Sequence, residues 1–310
     1  MPGGLPDNLD LVTGGCGFIG RHLVAALREA GRRVRVLDVS PPPAGFEGVE
    51  LVEGSVTDPS VCRDAVEGAD RVFHIAGTAQ LWAPDPGVFE RVNAGGTSVV
   101  FEAARAAGVR TFVHTSSDVV ELAAGRDFGP YVRSKVEGER IVSEDAGPMR
   151  VVIVRPAAPI GPGDDNMTPP SKLLRMLLTE PPPAYLDCVL DLVDVRDLAA
   201  GFIAAAGGDR AIVPLRGHRV RFGELLEAMR AHTGRKLPKA RIPYALAYVA
   251  AVVGETVSRI TKREPSATIA GVKLARALET VPHERGPVEP RPFDMTLADA
   301  VAWLRESGRV

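Results

Sequence analysis

The chain has 310 residues, 45% of them apolar and 25% charged, with a formal net charge of −2 and three cysteines, Cys16, Cys62 and Cys188. This is the balance of a globular protein of one large or two modest domains. It offers no basic field for nucleic acid, and its odd, scattered cysteines make neither a disulfide framework nor a metal-ligand cluster. Met1-Pro2-Gly3-Gly4-Leu5-Pro6-Asp7 lacks the basic-then-apolar order of a signal peptide, and the longest apolar run, residues 244–253, falls short of the roughly 20 residues that a bilayer crossing needs, so the expectation is a cytoplasmic protein without membrane insertion.

In chain order, Leu9–Thr13 is a short apolar run halted by glycines, and residues 19–30 carry Ile19, Leu23, Ala26 and Leu27 at helical spacing before Gly31 ends the helix. Residues 34–39 read as a second strand, Glu50–Glu53 as a third, Pro59–Val66 as a helix and 71–75 as a fourth strand. Residues 86–107 read as one long helix stopped by Gly108, followed by a fifth strand at Thr111–Thr115, a helix at 131–143 and a sixth strand at 150–154 that runs into Arg155-Pro156. Repeated strand–helix units of this length predict an α/β fold, a doubly wound parallel sheet covered by helices on both faces.

After Pro156 the texture changes. Prolines and glycines cluster through 159–170 and again at 181–183, then 188–195 reads as a strand and 195–206 as a helix. The tail is mostly helical: Phe222–Thr233, 243–260, 266–278 and 297–306. The predicted division is a dinucleotide-binding domain of residues 1–155 and 187–207 and a smaller, mostly helical substrate domain of 156–186 and 208–310. The strand and helix at 188–206 are expected to return to the first domain. Within the tail, 242–253 reads as a core helix ahead of a face for an apolar substrate or a membrane surface.

The chemistry concentrates in two strings. Leu11-Val12-Thr13-Gly14-Gly15-Cys16-Gly17-Phe18-Ile19-Gly20 is a strand, a glycine turn and a helix start, with Gly14, Gly17 and Gly20 in a GxxGxxG pattern. Side chains at those positions would hold a pyrophosphate away from the backbone N–H groups and the helix N-terminus, so the expectation is a dinucleotide site rather than a glycine turn with no ligand. Asp38 ends the second strand, where a carboxylate accepts hydrogen bonds from ribose hydroxyls and repels a 2′-phosphate. That favours NAD over NADP, although Arg21, Arg32 and Arg33 lie close enough in sequence to oppose the preference. Ser55, just after Gly54, is placed to touch adenine. Cys16, inside the turn, reads as small filler rather than a redox switch.

The second string, Tyr131-Val132-Arg133-Ser134-Lys135, puts a phenol and an ammonium four residues apart on one helix face. An ammonium beside a phenol favours the phenolate and lowers its pKa from about 10, which lets the tyrosine exchange a proton near neutral pH. Lys135 is also placed to hold the nicotinamide ribose. Ser117, in Thr115-Ser116-Ser117, follows the fifth strand at the carboxyl edge of the sheet, where its hydroxyl can orient a carbonyl.

Together with Phe73-His74-Ile75-Ala76-Gly77, Asn93-Ala94-Gly95-Gly96-Thr97, His114-Thr115-Ser116-Ser117 and Arg155-Pro156 followed by Gly161-Pro162-Gly163-Asp164, these strings make the chain resemble an extended short-chain dehydrogenase/reductase of the NAD-dependent epimerase/dehydratase family. Leu81-Trp82-Ala83-Pro84-Asp85-Pro86 and residues 254–272 look most like the hopanoid-associated sugar epimerase group, near the dihydroflavonol-4-reductase and 3β-hydroxysteroid dehydrogenase types. The resemblance implies a Rossmann core that binds NAD or NADP, with Tyr131 as acid/base, Lys135 as its partner, Ser117 as substrate orienter and Asn93 supporting the strand edge. It implies cofactor contacts at Gly14, Gly17, Phe18, Ile19, Gly20, Asp38, Ser55, Val56, Ala76, Gly77, Thr115, Tyr131, Lys135 and Pro156. It also implies a homodimer formed through the helices at 86–107 and 131–143.

The chain departs from the family pattern in three places. The stretch from Ser117 to Tyr131 is shorter than relatives usually show, which predicts a more open or differently built pocket. Ser55 stands where relatives commonly carry aspartate. Asp118-Val119 replaces the Asp-Glu of sugar-nucleotide dehydratases, so Asp118 fits the acid but Val119 cannot be the base, and only Glu121 or another acid could take its place.

Among the remaining residues, His74 and His114 read as packed or hydrogen-bonded strand residues, His22 as a surface residue, and Arg155, Arg196 and Asp197 as a structural charge cluster. Gln80, Trp82 and Asp85 fall where the substrate mouth is expected, and Gln80, Trp82 and Asp118 are the substrate-contact candidates. No metal site is read. The leading expectation is an oxidoreductase interconverting a secondary alcohol and a ketone by hydride transfer. The alternatives are an NAD-retaining sugar-nucleotide epimerase or dehydratase, and a non-catalytic NAD-binding protein. The tail shows no obvious basic cluster for a diphosphate, which favours the first.

Overall fold

In the computed structural model, strand β1 (Leu9–Thr13) is buried at every position, as a central parallel strand covered on both faces must be. The structure describes residues 9–310, and Met1-Pro2-Gly3-Gly4-Leu5-Pro6-Asp7, read above for targeting, lies outside them. The chain continues through α1 (Phe18–Glu29), β2 (Arg33–Asp38), β3 (Glu50–Glu53), α2 (Pro59–Val66) and β4 (Arg71–His74). A π-helical stretch (Phe89–Gly95) then leads into α3 (Gly96–Ala106), β5 (Thr111–Thr115), a 3₁₀ turn (Asp118–Leu122), α4 (Pro130–Val142) and β6 (Arg150–Pro156). Next come β7 (Ala158–Ile160), α5 (Pro169–Thr179), β8 (Ala184–Tyr185), β9 (Val189–Asp194), α6 (Val195–Gly207), β10 (Ile212–Leu215) and β11 (His218–Arg221). The tail holds α7 (Phe222–Thr233), β12 (Ala240–Arg241), α8 (Tyr244–Thr261), α9 (Ile269–Ala277) with a 3₁₀ turn (Leu278–Thr280), and α10 (Phe293–Glu306).

Seven parallel strands form the main sheet in the order β10-β6-β5-β4-β1-β2-β3. The strand order reverses between β1 and β4, so the crevice for a ligand opens at their carboxyl ends. Alternation along the strands sends Val12, Phe73 and Val113 to the face covered by α1 and α6, and Leu11, Val72 and Phe112 to the face covered by α2, α3 and α4. Asp10 is fully buried within β1, and its charge is met by Arg32 (2.8 and 2.7 Å) and Arg71 (2.8 and 2.6 Å), each in a two-pronged pair. A third core gathers Ile160, Leu174, Leu177, Leu192, Leu225, Met229, Leu297 and Val301 from β7, α5, β9, α7 and α10. Among the described residues no helix is long and apolar enough to cross a membrane.

Three expectations are corrected. The strand at 188–195, expected with the first domain, pairs outside the main sheet, whereas the helix after it, α6, packs with α1 in the first core. β9 sits in a separate sheet of order β11-β9-β7, and β10 takes the edge beside β6. Pro214 lies inside β10, which discourages a strand reading of 212–215, yet a proline is tolerated on an edge strand. The single helix expected at 86–107 starts as the π-helical stretch. And 242–253 is not a core helix, because α8 buries only Ala247, Ala251 and Ser258. The sequence reading also missed α5. Pro169 and Pro170 looked like loop residues, but they occupy its first turn, where a missing N–H costs nothing.

Candidate functional site

A cleft of ≈ 740 Å³ opens at the carboxyl end of the main sheet. Its floor is the glycine turn. Gly14 adopts φ +70°, and a Cβ there would lie 2.7 Å from Ala76 N and Cα. A Cβ on Gly20 would collide with the Gly14 carbonyl. The turn therefore closes only with bare backbone, which brings β4 and the first turn of α1 together. Gly17 at the N-cap provides no side-chain cap, so the first N–H groups of α1 face the cleft end without a competing side-chain acceptor.

Asp38, at the end of β2, lines the cleft, and its two oxygens accept from Cys16 N–H (2.9 Å) and Ser40 N–H (2.9 Å). The arginines that opposed an NAD preference are committed elsewhere or lie off the lining. Arg32 holds Asp10 and Asp70, Arg21 holds Asp165 (2.7 Å), and neither they nor Arg33 line the cleft. Ser55 lines the cleft but its hydroxyl is engaged locally, 2.8 Å from Thr57 Oγ1. Burial pushes the Cys16 thiol up to about 11, with the Asp38 charge adding to it, which fits inert filler.

The polar cluster deeper in the cleft is wired by buried hydrogen bonds. Thr97 Oγ1 donates to Asn93 O (2.5 Å), so His74 Nε2 must donate to Thr97 Oγ1 (3.0 Å) and His74 Nδ1 must accept from Thr13 Oγ1 (2.8 Å). This is a neutral imidazole, and burial with the Lys135 charge lowers its pKa to about 3. His114 is buried against it, ring stacked on ring at 5.9 Å. Asn93 Oδ1 accepts from Thr78 N–H (2.7 Å) while its amide donates to Ser134 Oγ (2.9 Å), which ties the strand edge after β4 to α4.

Ser117, Asp118, Tyr131 and Lys135 all line the cleft. Lys135 Nζ donates to Thr115 O (2.8 Å), and its ammonium is lowered to about 8 by burial, with the Glu139 carboxylate opposing. Tyr131 runs against expectation. Burial pushes its phenol up to about 12, opposed by a hydrogen bond with Ser117 and reinforced by the Asp118 charge. The lowering expected from Lys135 does not arise, because its ammonium is turned to the Thr115 carbonyl, while the phenol loses water that the anion needs. Asp118 is 5% exposed and its carboxyl rises to about 7. Burial is the main cause, with Asp191 and Glu121 adding to it, and Arg216 and the Ser117 hydroxyl (3.3 Å) opposing.

All the expected cofactor contacts, Phe18, Ile19, Val56, Ala76, Gly77, Thr115 and Pro156 among them, border this cleft. So does Gln80, whose Oε1 accepts from Lys172 (2.9 Å) at the rim. Trp82 does not line it, and Asp85 is spent on Arg91 (2.6 Å). Glu121 cannot replace the missing dehydratase base, because it is ion-paired with Arg216 (2.6 Å) and lies off the lining. His22 is not a free surface group, since its Nε2 lies 2.8 Å from Pro162 O and holds the 161–165 loop to α1. Arg155, Arg196 and Asp197 form separate ion pairs, with Glu139, with Asp194 and Asp299, and with Arg291, rather than one cluster.

Sequence reasoning missed Ser40, Asn166 and Asp191, all on the lining. Asn166 reaches the glycine turn from the loop after β7, with Nδ2 4.0 Å from where a Gly17 Cβ would stand. No local pattern marks it. The far wall of the cleft is apolar: Leu81, Val119, Leu173, Leu190, Leu225, Leu274 and Leu278. Lys135 is the single cationic side chain lining the cleft among the described residues.

Comparison with known proteins adds the following. Residues 11–214 match the model of the NAD dependent epimerase/dehydratase family. A protein of Synechocystis sp. described as a dihydroflavonol 4-reductase is 32% identical over 96% of this chain and 95% of its own length. Sterol demethylase protein B of Methylococcus capsulatus is 29% identical over 97% of this chain and 99% of its own. The crystal structure of gox2253 superposes with a TM-score of 0.77 at 28% identity, covering 98% of this chain and 99% of that one.

Proposed function

The chain belongs to the NAD-dependent epimerase/dehydratase family, and from that premise we propose that it is an oxidoreductase that interconverts a secondary alcohol and a ketone on an apolar small molecule, with Tyr131 as the acid/base. The observation that carries this reading is the composition of the cleft. Opposite the glycine turn stand mostly leucines and valines, and among the described residues no arginine lines the site to clamp a sugar-nucleotide diphosphate. The similarity to a reductase along nearly the whole chain supports the same direction.

The residues present fit the cofactor, since the turn excludes a Cβ at Gly14 and Gly20, leaves little room for one at Gly17, and leaves the start of α1 without a side-chain cap. In this reading those N–H groups would hold the pyrophosphate, Asp38 would hold the adenosine ribose and disfavour a 2′-phosphate, and Lys135 would hold the nicotinamide ribose. NAD, when bound, supplies the hydride chemistry. Ser117 donates a hydrogen bond to the substrate oxygen and orients it. Tyr131, protonated across the neutral range, gives its proton to that oxygen during reduction and takes it back during oxidation. We place the protein in the cytoplasm, a reading supported by three buried cysteines that are all free. We also take it to act as a homodimer through α3 and α4, whose outer faces expose Glu102, Arg105, Arg133, Val136 and Arg140. Light scattering on the purified chain tests that assembly.

The test of the activity is Tyr131→Phe assayed with reduced NAD and a panel of apolar ketones. Turnover should fall by about 100-fold or more while NAD binding is kept. Unchanged turnover overturns the role of Tyr131. Purified protein that keeps NAD through catalysis and inverts a sugar nucleotide without net reduction overturns the reductase in favour of an epimerase.

A further inference from the structure

The outer face of α8 has no counterpart in the site just described. The helix packs on α9 through small residues, Ala247 and Ala251, and through half-buried Tyr244 and Tyr248, and Ser258 is also buried. Its other side carries Leu246, Val249, Val253, Val257 and Ile260, exposed by 55%, 57%, 58%, 52% and 82%. Their spacing of three and four residues stacks them in one stripe along the helix. The only acid on the helix, Glu255, does not interrupt that stripe, because its carboxylate accepts from Ile269 N–H at 2.7 Å on the inner side. A helix that is apolar on both sides and covered on one is an incomplete burial.

The charge flanking the stripe is mostly positive. Exposed Arg235, Lys236, Lys239 and Arg241 precede α8, and exposed Arg259, Lys262 and Arg263 close it, while the acids beside them are engaged: Glu255 by Ile269 N–H, Glu264 by Lys172 (2.6 Å) and Asp187 by Arg241 (3.3 Å). We propose that this face seats the protein on the surface of an anionic lipid bilayer, with the stripe at the acyl boundary and the two cationic ends on the headgroups. Apolar stripe plus flanking Lys and Arg is the pattern of a helix that lies in the interface rather than across it. A second copy of the chain is a poor cover. Whether two α8 helices paired parallel or antiparallel, a cationic end would meet a cationic end. The position also suits the cleft. Just beyond α8, Glu264 holds Lys172 (2.6 Å), which holds Gln80 on the rim, and α9, beneath α8, contributes Leu274 to the apolar wall.

The experiment is flotation of the full chain with vesicles of phosphatidylcholine mixed with phosphatidylglycerol, against vesicles of phosphatidylcholine alone, with light scattering on the same samples. The chain should float with the anionic vesicles and be released by high salt. Val249→Ser/Val253→Ser/Val257→Ser should lower the bound fraction by about tenfold, and Lys262→Glu/Arg263→Glu should lower it on anionic vesicles alone. Both variants change exposed side chains, and unaltered melting and NAD binding show that they fold. Failure of the wild type to float with anionic vesicles overturns the proposal, as does flotation that neither variant weakens. A self-associated wild type that the serine variant converts to a smaller species also overturns it, since the stripe is then covered by another copy. None of these results bears on Tyr131, so the two readings fail separately.

Discussion

The two walls of the cleft are built on opposite principles. The wall from the main sheet is bare backbone and tethered polar groups: Gly14 and Gly20 in van der Waals exclusion, Asp38 held by two N–H groups, His74 and Asn93 fully engaged. The wall from β9, α5, α7 and α9 is mostly leucine and valine, and its polar group Asp191 is paired with Arg219 (3.2 Å). A wall that must meet a charged, hydrogen-bonding cofactor depends on single atoms being in place. A wall that meets apolar surface depends on shape and can be rebuilt from many side chains. The difference explains why one wall is marked by motifs and the other is not.

The comparison can be broken, starting with its largest expected effect. Asp118 sits where the walls meet, with its carboxyl raised from 3.8 to about 7. Between those values the folded chain keeps a proton that the unfolded chain releases. Stability is therefore undiminished below the lower value and declines as pH rises through the upper one, by up to about 4 kcal/mol. Asp118→Asn should raise the melting temperature at pH 8 and leave it unchanged at pH 3.5. Thermal melts of both proteins across this range isolate Asp118, since buried neutral His74, whose lowered pKa costs stability as pH falls, is common to them. Parallel melting curves at all pH values would show that Asp118 is not buried as described.

Next in size, Gly20→Ala places a methyl against the Gly14 carbonyl, and the strain of about 1–3 kcal/mol should weaken NAD binding about 10- to 100-fold in a calorimetric titration. Retained affinity would mean that the backbone does not need to close there. Asp38→Ala should reduce the NAD-to-NADP preference by about tenfold, read from the two dissociation constants, because a charge-assisted hydrogen bond and a repulsion are lost together. A constant ratio would remove Asp38 from the ribose. Smallest, Leu190→Gln on the opposite wall should raise KM for an apolar ketone about fivefold with little change in NAD affinity. An equal loss of NAD affinity would dissolve the distinction between the walls.

Legibility followed the same divide. The glycine turn, Asp38, Ser117 and the Tyr131/Lys135 pair were readable because each rests on local spacing along one strand, turn or helix face. Asn166 and Asp191 were not, because they reach the cleft from β7 onward through contacts distant in sequence. The direction of the Tyr131 shift was misread for a related reason. Spacing puts the two groups on one helix face but does not say where the ammonium is turned or how much water each group has lost, and here desolvation is the largest cause of both shifts. The early assignment of α8 to the core failed because apolar periodicity records that a face avoids water without recording what covers it.

Sequence alone thus determined the parallel α/β sheet, the dinucleotide turn and the phenol–ammonium pair, all consequences of period, glycine and proximity along the chain. Tertiary structure decided that β10 rather than β9 completes the main sheet, that the cleft wall facing the glycine turn is mostly apolar, and that one side of α8 is left open. Edge pairing, desolvation and burial are properties of surfaces brought together from distant parts of the chain, so no local pattern encodes them.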